Sequence, residues 1–232
     1  MTLYECLEKN GLSLYLTDEK LNKLDVLCRL LLSYNEKVNL TAVTELSDVY
    51  AKHIADSAAL LPYLTGKKNL LDVGCGGGFP SLPTAILSDI SVTALDSTKK
   101  KLDFISYAKT ELDIKNINTI CGRAEELCAG SLRQSFDAVT ARAVASLPVL
   151  CELCIPYVKV GGVFLAMKTD DKELDLAHKA AVTLGASHIK TVKYKLICED
   201  EEAERCIMIF QKTKNTDIKY PRRYSLIKSK PL

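Results

Sequence analysis

The residues with the clearest chemical promise in this 232-residue chain lie at 72–80, "DVGCGGGFP", where four glycines fall within five positions. Glycine has no Cβ, so such a loop lets backbone N–H groups come close to a ligand and adopt left-handed conformations. The apolar run "NLLDV" leads in and "PSLPTAIL" leads out, which makes the loop a strand-to-helix turn. Asp96 closes the next apolar run, "SVTALD", 18 residues after Gly78. A carboxylate in that position can hold ribose hydroxyls. Loop and acid together make a nucleoside-binding site.

Two cofactor classes use this layout. Dinucleotide binders need G-x-G-x-x-G, because a helix N-terminus must sit against the pyrophosphate. Counted from Gly74 the third glycine falls on Phe79, and counted from Gly76 it falls on Ser81, so that pattern fails in both registers. The spacing G-x-G-x-G is filled by Gly74, Gly76 and Gly78. It matches the loop of S-adenosylmethionine (AdoMet) methyltransferases, whose ligand carries a sulfonium and an amino-acid end but no phosphate. A loop serving only as a tight turn would not need the acid after the second strand.

The elements that must position these residues follow from periodicity. In "TDEKLNKLDVLCRLLLSY" (17–34), Leu21, Leu24, Leu27, Cys28 and Leu31 have helical spacing, with Thr17 as N-cap and Asp18 and Glu19 at the positive end of the dipole. "SDVYAKHIADSAALLPYL" (47–64) predicts one further helix, capped by Ser47 and ended near Pro62. Residues 1–65 are thus expected to form a helical N-terminal region. Residues 66–212 alternate strand and helix up to about 183, which implies an α/β, Rossmann-like, seven-stranded and mostly parallel sheet covered on both faces. The last two strands, near 189–198 and 204–211, have no helix between them and predict an antiparallel pair at one edge.

Composition bounds the rest. With 47% hydrophobic and 26% charged residues the chain can build a packed core. No run approaches the ~20 apolar residues that cross a bilayer. The start, "MTLYECLEKN", lacks the pattern of a secretory signal, so a cytoplasmic protein without a membrane partner is expected. Monomer is the default, since nothing in the sequence speaks to oligomeric state. The nine cysteines are scattered in apolar contexts and read as buried thiols. "CELC" spaces Cys151 and Cys154 like a zinc or redox pair, but no second pair exists and the segment is an apolar helix, so no metal site is expected. Net charge is +2, unevenly placed: residues 211–232 hold seven basic side chains against Asp217 alone. A basic tail at 213–232 favours a phosphate-rich partner.

Several segments carry a more specific signal: "NLTAV" (39–43), "HIADSAAL" (53–60), "LLDVGCGGGFPSLPTAIL", "LDSTKKKLDFI", "GRAEEL" (122–127), "RAVASLPVL" (142–150), "MK" (167–168) and "YPRR…KPL". In this order, over nearly the whole chain, they resemble the bacterial 16S ribosomal RNA guanine-N7 methyltransferases, the GidB or RsmG family. The resemblance implies a class I AdoMet-dependent fold. It also implies a methyl acceptor at N7 of one guanine in the decoding region of the small ribosomal subunit, and cofactor contacts at Gly74, Phe79, Ala124, Glu125 and Arg142. The chain departs from the family pattern at Ser81, Thr169, Ser225 and Ile227.

N7 of guanine has a lone pair and no proton, so transfer to it needs positioning rather than a general base. Exocyclic-amine methyltransferases carry a Pro-Pro motif, and this chain has no Pro-Pro; cytosine-C5 enzymes use a cysteine after Pro or Thr, and no cysteine here follows either. These absences equally suit a small-molecule methyltransferase, and binding without turnover, as in an AdoMet- or RNA-binding protein, also stays open. Candidates to act on the acceptor base are His53, Arg142 and Lys168, with Arg222 and Arg223 as phosphate contacts.

Overall fold

The computed structural model describes residues 1–199 and 201–232. Seven strands, β1 (Asn69–Val73), β2 (Ser91–Asp96), β3 (Ile117–Cys121), β4 (Phe136–Arg142), β5 (Val158–Lys168), β6 (Ala186–Cys198) and β7 (Glu201–Lys212), form one sheet in the order β3-β2-β1-β4-β5-β7-β6. The first five strands pair in parallel. β7 runs antiparallel to both β5 and β6, so the final strand lies inside the hairpin's edge strand rather than at the margin. The strand order reverses between β1 and β4, the place where open α/β sheets bind ligands at the carboxyl ends of their strands. Register aligns those ends: Asp72 pairs with Ala94 and with Thr140. The glycine loop, Asp96 and Arg142 therefore emerge on one level.

Strand side chains alternate between two apolar cores, as the period of two requires. Leu70, Val92, Ala138 and Leu165 face one core, and Leu71, Leu95, Val139 and Phe164 the other. The first core is closed by α1 (Leu3–Lys9), α2 (Asp18–Asn35), α3 (Leu46–Val49), α4 (Asp56–Ala58), α5 (Leu61–Leu64), α6 (Ser81–Leu87) and α7 (Lys99–Glu111). The second is closed by α8 (Ala124–Leu127), α9 (Leu147–Cys154), α10 (Leu174–Thr183) and α11 (Tyr224–Ser229). Cys151 and Cys154 are wholly buried in α9, where desolvation raises both thiol pKa values.

Two local expectations need correction. α1 has no counterpart in the sequence reading, yet Thr2 and Glu5 build a capping box at its start. The single helix expected over 47–64 is instead α3, a π-helical turn at Tyr50–Ala55, α4 and α5. Ser47 does not cap it, because α3 already begins at Leu46. Pro62 does not end it but lies in the first turn of α5, where a missing N–H leaves nothing unpaired. The wide turn falls on His53, and π-turns of this kind often mark functional positions.

The C-terminal segment also differs from a solvated basic tail. Lys212 is buried, with its ammonium donating to the carbonyls of Ile155 and Leu184 and to Thr216 Oγ1. Desolvation pushes its pKa down to about 7. The Arg133 guanidinium donates to the carbonyls of Thr216, Asp217 and Tyr220 at 2.8, 3.0 and 2.7 Å. Arg222, expected to meet phosphate, instead grips the wholly buried Glu152 with Nε–Oε1 at 2.8 Å and Nη2–Oε2 at 2.6 Å. Ile227 fills a fully buried position. Arg223, Lys214, Lys219, Lys228 and Lys230 stay exposed.

Removing one partner of a buried ion pair leaves an uncompensated charge, typically at a cost of about 3–5 kcal/mol. Arg222→Met is expected to lower the unfolding free energy by about that amount. The double change Arg222→Met with Glu152→Leu should recover most of the loss. Urea denaturation of the two variants beside the unsubstituted chain checks this; a single variant as stable as the parent would refute it.

Candidate active site

The loop after β1 is shaped by its neighbours. Gly74 takes φ +71°, and its N–H donates to the Leu95 carbonyl at 2.7 Å. A Cβ at Gly74 would lie 2.6 Å from Val144 Cγ2, so the segment after β4 leaves no room for a side chain. Gly76 N–H donates to Asp96 Oδ2 at 3.0 Å, and Thr98 N–H donates to Asp96 Oδ1 at 2.8 Å. Asp96 thus braces the loop while each oxygen keeps a lone pair for a ligand hydroxyl. Gly78 differs: at φ +90° its Cβ would meet Leu82 and Ile105, so it allows α6 and α7 to pack, and it lines neither cavity of the site.

Two adjoining cavities open beside the loop. One, of about 320 Å³, is bordered by Gly74, Asp96, Ala124, Glu125, Ala143 and Tyr224. The other, of about 500 Å³, lies between the loop and the N-terminal helices, bordered by Thr41, His53, Gly76, Phe79, Arg142 and Lys168 among others. Gly74, Lys101 and Ala143 are common to both. Ala143 holds φ +56°, a left-handed conformation that costs a residue with a Cβ on the order of 1 kcal/mol and occurs most often at functional sites.

A chain of polar groups runs along the larger cavity. Asp56 is 5% exposed. Its Oδ2 accepts from Arg142 Nη1 at 2.8 Å and its Oδ1 from the Tyr194 hydroxyl at 2.8 Å, with Arg205 Nε 3.8 Å away. Arg142 Nη1 also donates to the Lys52 carbonyl at 2.8 Å, and Nη2 lies 3.3 Å from His53 Nδ1. Arginine can only donate, so Nδ1 is the accepting nitrogen and the proton sits on Nε2. That proton goes to Thr41 Oγ1 at 2.8 Å, which also accepts from Val43 N–H at 3.1 Å. With both acceptor positions filled, the Thr41 hydroxyl proton is left to be donated toward the cavity. The His53 ring stacks on Phe79 at 4.7 Å. Desolvation and the Arg142 charge push its pKa down to about 4, so the imidazole is neutral and relays orientation rather than moving protons.

Lys168 pairs with Glu173 at 2.7 Å and donates to the Ala145 carbonyl at 3.1 Å; Glu173 also accepts from Leu147 N–H. It therefore braces the 142–147 segment as well as lining the cavity. Asp72, below the loop, is fully buried; Ser81 Oγ donates to its Oδ2 at 2.6 Å and Oδ1 has no partner. Desolvation raises its pKa to about 6.

These groups fit AdoMet. Gly74 and Gly76 allow close approach, and Asp96 has lone pairs for ribose hydroxyls. The sequence reading missed Thr41, Asp56, Asp72, Tyr194, Arg205 and Tyr224. Thr41 and Asp56 sit inside "NLTAV" and "HIADSAAL" without any spacing that marks them. Tyr194 and Arg205 become neighbours only through the β6–β7 register.

Comparison with known proteins gives the family and the fold. The family model described as rRNA small subunit methyltransferase G matches residues 20–202. A Streptococcus pyogenes protein named ribosomal RNA small subunit methyltransferase G is 42% identical over 236 residues, covering 99% of this chain and 98% of its own. Among solved structures, M. jannaschii TYW2 in complex with AdoMet aligns at TM-score 0.51 and 14% identity, over 62% of this chain and 68% of that one. The Geobacter metallireducens precorrin-6y C5,15-methyltransferase aligns at TM-score 0.53 and 17% identity, over 76% and 91%. At such identities the structural likeness speaks for the fold alone.

Gly74→Val is expected to abolish AdoMet binding in calorimetry with little change in far-UV circular dichroism; unchanged affinity would remove the loop from the cofactor site. A second expectation concerns pH. The folded-state pKa of His53 lies below its ordinary 6.5, so as pH falls the unfolded chain takes up the proton first. Its contribution is complete above 6.5 and is lost as pH falls toward about 4. His53→Gln should flatten that part of the acid limb in urea titrations across this range; an equally steep limb would contradict the neutral imidazole.

Proposed function

The chain belongs to the rRNA small subunit methyltransferase G family, AdoMet-dependent methyltransferases of small-subunit ribosomal RNA, and we propose that it methylates N7 of a guanine in the 16S decoding region. One observation carries the choice of base: the larger cavity presents donors. The Thr41 hydroxyl, Lys101 and Arg205 border it, with Lys52 and Lys168 paired to Asp48 and Glu173 at 2.8 and 2.7 Å, and among the described residues its one carboxylate, Asp56, is occupied by Arg142 and Tyr194. The major-groove edge of guanine offers two acceptors, N7 and O6, whereas adenine puts an amino donor beside its N7. A donor-lined cavity therefore favours guanine.

The absence of a free base fits the same chemistry. His53 Nδ1 accepts from Arg142, and among the described residues no other neutral nitrogen or unpaired carboxylate borders the cavity. N7 has no proton to lose, so none is needed. Bound AdoMet supplies a methyl group activated by its sulfonium. The chain's own residues then do the positioning. Gly74 and Gly76 let the cofactor approach the backbone, Asp96 holds the ribose hydroxyls, and Ala124 and Glu125 border the nucleoside. The Phe79–His53 pair forms an apolar wall for the acceptor base, Thr41 donates to O6, and N7 stays uncovered.

In A-form RNA the major groove is too narrow for such contacts, so the guanine enters unstacked from its neighbours. Lys52, Lys101, Arg205 and the exposed Arg223 supply the charge for flanking phosphates. A ribosomal substrate supports a cytoplasmic location for the reaction.

Incubation with methyl-labelled AdoMet and under-methylated small subunits should put label into rRNA at N7 of one guanine. Label confined to small metabolites would overturn the reading. Thr41→Val should lower kcat/KM by about 10- to 100-fold, the worth of a specific base contact, without changing AdoMet affinity. Thr41→Ser should restore most of the activity.

A further inference from the structure

The C-terminal segment is fixed at three points, and together they deliver one side chain to the cofactor cleft. Arg133 holds the carbonyls of residues 216, 217 and 220. Arg222 is locked onto buried Glu152, and Ile227 is inserted into the core beside α9. Between the last two anchors Tyr224 begins α11, half-buried, at the wall of the smaller cavity next to Asp96, Ala124 and Glu125. Among the described residues it is the one aromatic side chain that borders this cavity. The Arg123 guanidinium lies 6.0 Å from its ring centroid, a cation–π separation that steadies the ring.

Asp96 marks the ribose end of the cavity, so the base of a bound nucleoside lies toward Ala124, Glu125 and Tyr224. A flat π-face at that place is suited to a purine, which stacks on aromatic rings. The alternative, a tail that grips RNA phosphates, has lost two of its cations, since Lys212 and Arg222 are tied inside the fold.

We propose that the C-terminal segment is part of the cofactor site, and that Tyr224 covers the adenine ring of bound AdoMet. The proposal rests on the AdoMet reading of the cavity and adds a wall to it that the glycine loop does not provide. The segment then serves cofactor binding first, with Arg223 alone of its paired arginines left for phosphate.

The test is calorimetric titration of the full chain with S-adenosylhomocysteine and with 5′-methylthioadenosine, which keeps the nucleoside and lacks the amino-acid end. Tyr224→Ala should weaken both by about 10-fold or more, the size of a base–aromatic stack. Tyr224→Phe, which keeps the ring, should retain most of the affinity. Tyr224→Leu, which keeps apolar cover for α9 but no π-face, should fall between. Binding of small-subunit RNA by Tyr224→Ala should stay within about two-fold of the parent. Parental affinity in Tyr224→Ala would overturn the proposal, as would equal losses in the Phe and Leu variants. A parent chain that binds neither nucleoside would overturn the cofactor reading itself, which separates the two failures.

Discussion

The buried ion pair between Asp56 and Arg142 is the interaction on which the site depends. Asp56 comes from the N-terminal helices and Arg142 from the end of β4, and Tyr194 and Arg205 join them from the β6–β7 hairpin. Three separate stretches of chain thus meet on one carboxylate. Burying such a pair adds little net stability, because desolvation offsets the attraction. Its effect here is geometric. With one oxygen committed to Arg142 and the other to Tyr194, Asp56 fixes the guanidinium, which fixes the His53 tautomer, which aims the Thr41 hydroxyl. His53 and Lys52, whose carbonyl accepts from Arg142, both lie on the π-helical turn.

The same network leaves a site rich in titratable groups whose imidazole is neutral and whose central carboxylate is paired. Carboxylates near the cavity are either paired, as Asp56 is, or buried under the loop, as Asp72 is. The imidazole is held neutral by burial and by a neighbouring cation. The carboxylate at the centre of the larger cavity, Asp56, is filled by Arg142 and Tyr194. Such a cavity can hold an acceptor-rich, anionic ligand and can align it with a cofactor, which is the work that methyl transfer to an unprotonated nitrogen requires.

The sheet was legible in the sequence because strand and helix periods alternate cleanly after residue 69 and because glycine and proline punctuate them. The proposed cofactor side follows spacing for a related reason: Gly74, Gly76 and Asp96 sit at local backbone and strand-end positions, and Gly76 N–H donates to Asp96. Gly78 shows the limit of that logic, since it shares the spacing but serves helix packing. The acceptor side was poorly legible. Thr41 matters only through His53, His53 only through Arg142, and Tyr194 and Arg205 meet only when two strands pair in one register. The broken helix over 47–64 was hidden as well, because its apolar pattern suits a continuous helix and the wide turn answers to tertiary contacts.

Charge counting misled most at the C-terminus, and the reason is general. A net charge of +6 over residues 211–232 says how many cations are present but not how many are free. Lys212 ends a central strand and must be buried there, so it collects carbonyl partners. Arg222 faces a glutamate that the apolar helix α9 carries into the core, and a buried carboxylate demands a cation. Each pairing holds down a length of backbone, and Tyr224 of the segment so held borders the smaller cavity. A stretch that composition marks as an RNA-binding tail thus has two of its cations, Lys212 and Arg222, committed inside the fold, while Lys214, Lys219, Arg223, Lys228 and Lys230 stay exposed.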